Sequence, residues 1–129
     1  MRRFSCTAVT IVALCCFTLP AFAQGDLENG KNLFKLCSVC HQVGDGAKNT
    51  PMGPRLNGII GRKAGTIEGF NYSDANKQAG DKGLIWTQET LSEFLKNPRS
   101  YMPGNKMVFA GVRDDDDRRD LVAYLNQSK

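Results

Sequence analysis

Two cysteines and a histidine fall within five consecutive positions, Cys37-Ser38-Val39-Cys40-His41. Thiols at this spacing can reach both vinyl groups of one haem and form thioethers, and the adjacent imidazole then lies under the iron. Three other chemistries compete for these residues. A zinc site takes about four nitrogen or sulfur ligands, and past residue 23 the chain offers only these three of the usual kind. A thioredoxin-like dithiol belongs in a strand–helix–strand setting. A disulfide across two intervening residues closes a very small loop and stabilises little. Haem attachment accounts for both thiols and the histidine together.

His41 is the only histidine. Ligation by two histidines is therefore excluded, as is a distal histidine for cleaving peroxide. From residue types alone the second axial position is open to methionine, lysine, water or nothing. Three methionines lie beyond the N-terminal segment: Met52, Met102 and Met107.

The N-terminal segment reads as an address. Arg2 and Arg3 precede an apolar run from Ala8 to Leu19, and Ala21-Phe22-Ala23 forms a small-x-small cleavage pattern. The run is shorter than the roughly 20 apolar residues that span a bilayer. Residues 1–23 are thus expected to be a cleaved signal peptide, residues 24–129 the mature domain, and the periplasm its destination. Cleavage removes Cys6, Cys15 and Cys16 of the five cysteines, leaving the motif pair. It also removes Arg2 and Arg3, so a net charge of +4 becomes +2. So even a balance does not suit nucleic acid, whose binders carry a strong basic excess.

The elements that must position the motif are helical. The run from Asp26 to Leu36 has an N-cap aspartate, with Leu27, Gly30 and Phe34 on one face. Between Gln42 and Gly83 the chain is rich in glycine and polar residues, which predicts loop with a short helical turn at 73–79. A loop of this length needs something to organise it, and a small domain often needs a covalent or cofactor staple. Thr87 caps a second helix carrying Leu91, Phe94 and Leu95, which stops ahead of Pro98. Loop is predicted from Arg99 to Gly111. A last helix opens near Asp114, with Leu121, Tyr124 and Leu125 on one face, and Asp114–Asp117 suit the positive end of its dipole.

The segment Asn97-Pro-Arg-Ser-Tyr-Met-Pro-Gly-Asn-Lys-Met-Val-Phe-Ala-Gly111 resembles the methionine-ligand loop of class I c-type cytochromes. The likeness runs from Gly25 to about Gln127. It implies the all-α fold of that family: three main helices, short helical turns and long loops wrapped around one covalently bound haem c. It implies His41 and Met107 as the iron ligands, and Cys37 and Cys40 as the points of attachment. By the same resemblance the Pro54 carbonyl accepts a hydrogen bond from the imidazole, while Arg62, Tyr72, Asn76 and Trp86 surround the propionates. Gly30, Phe34, Leu121 and Tyr124 match the contact where first and last helices cross. Phe94 and Asn105 depart from the family, which commonly has tyrosine and threonine there.

The function implied is single-electron transport between membrane or periplasmic redox complexes. Those complexes would be a cytochrome bc complex, a terminal oxidase, a photosynthetic centre or a reductase. Docking is expected to be transient and the protein monomeric, without stable membrane insertion. Lys35, Lys96, Arg99 and Lys106 are the expected basic residues around the exposed haem edge. A haem peroxidase or a gas-binding haem protein is the alternative, and both need an open iron site.

Overall fold

The computed structural model describes residues 25–129. The expected signal peptide, its expected cleavage site and Gln24 lie outside the described residues. Among the described residues five helices follow in order: α1 (Leu27–Phe34), α2 (Asp74–Asp81), α3 (Gln88–Lys96), α4 (Pro98–Tyr101) and α5 (Asp115–Gln127). Among the described residues the one β-type pairing is an isolated antiparallel bridge between Lys63 and Ile85. No helix of these residues is long and apolar enough to cross a membrane.

Helix starts are set by side-chain caps. Asp26 accepts the backbone N–H groups of Glu28 and Asn29, and Asp114 accepts those of Asp116 and Asp117. In α3 the hydroxyls of Thr87 and Thr90 cap each other's N–H groups reciprocally. The aspartate run therefore has a local task at the first turn of α5.

Helices α1 and α5 cross closely. A Cβ on Gly30 would lie 2.2 Å from the Asp120 carbonyl oxygen, so only glycine permits this approach. Phe34 and Tyr124 stack at 5.6 Å beside it, and Leu121 is completely buried. Polar contacts lock the crossing, since Asp120 accepts from the Asp26 N–H at 2.9 Å and from Asn29 Nδ2 at 2.9 Å. The crossing contact inferred from resemblance is thus present, although Leu27 turns outward and is 39% exposed.

Two expectations need correction. The predicted helical turn at 73–79 is an eight-residue helix, α2, capped by Ser73. The predicted loop from Arg99 holds the four-residue α4, in which Pro98 occupies the first turn and the Asn97 side chain caps it. Proline ends α3 and opens α4 with the same fixed φ.

Candidate functional site: an apolar cavity at the thiol–imidazole motif

The helical chain turns sharply after Phe34, with Cys37 N–H donating to the Phe34 carbonyl at 2.8 Å and His41 N–H to that of Cys37 at 2.9 Å. These turns hold both cysteines and the histidine against one cavity of about 430 Å³. Neither thiol is in a disulfide. Burial, and then the neighbouring Cys40, push the Cys37 thiol up to about 11, so it carries its proton at neutral pH.

His41 is aimed by its surroundings. Its Nδ1 lies 2.7 Å from the Pro54 carbonyl oxygen. With Nδ1–H donating there, Nε2 keeps its lone pair, which is the tautomer a metal ligand needs. Burial, reinforced by the Arg62 charge, holds the ring below its ordinary pKa and so favours the neutral form, while the bond to Pro54 pulls the other way. Gly53 makes room for the ring: a Cβ there would sit 2.6 Å from His41 Cε1. Thr50 secures the same corner, its hydroxyl donating to the Cys40 carbonyl at 2.7 Å while accepting the Gly53 N–H at 3.0 Å. The sequence analysis missed Thr50, and a lone threonine in a polar loop carries no pattern that would reveal it.

Every residue expected around the prosthetic group lines this one cavity: Cys37, Cys40, His41, Pro54, Arg62, Tyr72, Asn76, Trp86 and Met107. Paired backbone bonds position two of them, Trp86 N–H to the Arg62 carbonyl at 2.9 Å and Gly61 N–H to the Trp86 carbonyl at 2.8 Å. Asn76 comes from the first turn of α2. Arg62 donates to the Asn57 and Arg55 carbonyls, both at 3.3 Å. Burial disfavours its charge, and the Tyr72 phenol beside it is pushed up by burial. No ion pair engages Arg62 among the described residues, so a cation faces the cavity with capacity for an anionic group.

The remaining walls are apolar, with Leu56, Ile59, Leu91, Leu95 and Phe109 among them. Glycine-rich loops hid several of these from periodicity arguments. Phe94 also lines the cavity, buried 5.1 Å from Trp86 and 5.9 Å from Tyr101. Of the four basic residues expected near the edge, Lys106 lines the cavity, and Lys35, Lys96 and Arg99 are exposed and outside its lining. Asn105, two positions before Met107, is not among the lining residues. Among the described residues no cluster of three or more His, Cys, Asp or Glu could hold a bare metal ion.

A flat apolar macrocycle bearing two carboxylates and a central iron fits these surroundings. The thiols stand at one wall, a neutral imidazole and a thioether line the same space, and a cation meets the acidic end. Comparison with known proteins agrees. The family model for cytochrome c matches residues 27–129. Cytochrome c2 of Blastochloris viridis is 52% identical over 108 residues, covering 84% of this chain and 81% of that protein. Cytochrome c-550 of Ancylobacter novellus is 59% identical over 96 residues, covering 74% and 89% respectively. The solved structure of cytochrome c2 from Rhodospirillum centenum superposes with a TM-score of 0.76 at 42% identity, covering 81% of this chain and 98% of that one. The chain therefore belongs to the class I c-type cytochromes, which carry one covalently attached haem c.

Proposed function

We propose that this haem electron carrier works in the periplasm after removal of residues 1–23, with Cys37 and Cys40 bonded to the haem and His41 and Met107 as the axial ligands. One observation carries the reading. Both thiols, an imidazole already oriented by Pro54, and the Met107 side chain line a single apolar cavity. The bound haem supplies a one-electron ferric–ferrous couple.

The chain's own residues set the conditions for that couple. Pro54 fixes the tautomer and rotation of His41. A methionine ligand favours the reduced state. The apolar wall of Leu56, Ile59, Leu91 and Leu95 excludes water and disfavours the added charge of the ferric state. Arg62, Tyr72, Asn76 and Trp86 offer polar groups at one end of the cavity for the propionates. With both axial positions taken, no site is left for substrate, so the protein passes electrons to redox partners through transient docking.

Intact mass of the exported protein tests the assignment. The expected mass is the chain from Gln24 plus one haem, resistant to extraction with acidified acetone. Two titratable thiols, or a haem that extracts, would overturn it.

A further inference from the structure

The Met107 loop has few ties to the rest of the molecule. From Lys106 to Gly111, the one backbone N–H with a hydrogen-bond partner among the described residues is that of Met107 itself. Its partner is Asn105 Oδ1, at 2.8 Å. The same carboxamide reaches back with its nitrogen. Asn105 Nδ2 donates to the Pro98 carbonyl at 2.9 Å and to the Met102 carbonyl at 2.7 Å. The first belongs to the residue that opens α4 and the second to its C-cap, and each also accepts a backbone N–H, from Met102 at 3.0 Å and from Asn105 at 3.1 Å. The side chain uses its two N–H donors and its oxygen at once, which also fixes the orientation of the amide.

We propose that Asn105 is the positioning residue for the axial thioether, clamping the Met107 backbone to α4 and its C-cap so that the loop opens rarely. The inference rests on Met107 being the second axial ligand. Asn105 does not line the cavity, so it acts through Met107 and not on the haem. The geometry is particular to asparagine. Threonine has one O–H donor and could serve only one of the two carbonyls while accepting the Met107 N–H. Aspartate would accept that N–H but turn an anionic oxygen toward both carbonyls.

The test is the rate at which imidazole binds the ferric holoprotein, which requires the Met107 loop to swing away. Loss of three hydrogen bonds in Asn105→Ala should speed binding by roughly tenfold or more. The rate should rise severalfold in Asn105→Thr, and at least as far in Asn105→Asp as in Asn105→Ala. Hydrogen exchange at the Met107 amide should quicken in parallel. General destabilisation is separated by Asn29→Ala, which removes bonds to Asp117 and Asp120 at the α1–α5 crossing and should leave the imidazole rate unchanged. An Asn105→Ala protein that binds imidazole at the parental rate would overturn the proposal, as would an equal acceleration in Asn29→Ala. If Asn105→Ala does not accumulate as holoprotein, Asn105→Thr decides by the same measurement, and the parental rate there counts against the clamp. Met107→Ala separates the two layers: retention of the sulfur-to-iron absorption band in that variant removes the ligand assignment itself.

Discussion

Gly53 and His41 are packed so closely that a single added carbon on the glycine would stand 2.7 Å from the imidazole Nδ1. That nitrogen is the one bonded to Pro54, so crowding here acts directly on the ligand's aim. Gly53→Ala should displace the ring or the loop that carries Pro54. We expect a stability loss of about 1–3 kcal/mol, read from the denaturant midpoint of the holoprotein, together with a shifted reduction potential. A variant equal to the parent in both would show that this corner yields without consequence.

Met107 and Met102 should part company on substitution. Met107→Ala is expected to abolish the weak long-wavelength band of sulfur-ligated ferric iron, lower the potential and admit cyanide and carbon monoxide. Met102 is 5% exposed and belongs to the apolar core. Met102→Ala should keep the band while costing about 2–5 kcal/mol in stability. Absorption spectra and unfolding curves of the two proteins, taken side by side, check the assignment.

Acid should weaken the α1–α5 crossing through Asp120. Donation from Asn29 holds its carboxyl below the ordinary carboxylate range; burial opposes this, and the Asp26 N–H and Arg119 reinforce it. With the folded value below the unfolded one, this stabilisation is complete above about pH 4 and is lost as pH falls through the folded value. Asp120→Asn should therefore cost about 1–3 kcal/mol at neutral pH. The gap between variant and parent should close below about pH 4, which a series of unfolding curves across pH would reveal.

Charge at the cavity mouth should steer encounter. Lys106 lines that mouth and is exposed. Electron transfer to an acidic partner should slow as salt rises, since the Debye length is about 10 Å at roughly 0.1 M. Lys106→Glu should slow the bimolecular step and leave the potential nearly unchanged, while Lys129→Glu at the end of α5 does much less. Stopped-flow rates across ionic strength decide this, and a rate that climbs with salt would remove the steering role.

Much of the site was legible because it is written in local spacing. The motif at 37–41 and the helix starts at Asp26, Thr87 and Asp114 each declare themselves within a few residues, whereas the Met107 loop is read from its resemblance to the family. What escaped reading depends on contacts between distant loops. Thr50 bridging to Cys40, and Arg62 pairing its backbone with Trp86, follow from how the 42–86 region folds over the cavity. Asn105 reads as a departure from the family in sequence, and only its three partners give it a role. Pro98 was read as a stop, which it is for α3, but it also begins α4.

The α1–α5 crossing also imposes an order in time. Asp26 and Asp120, joined in the folded protein, are 94 positions apart. A chain emerging from its N-terminus releases Cys37, Cys40 and His41 well before Leu121 exists to cover Phe34, and pairings of such long range close late. The thiols thus spend an interval in an open chain, free of the burial that would otherwise raise the Cys37 thiol to about 11 and enclose it. Attachment in that interval would meet open thiols, with the last helix closing over the haem afterwards.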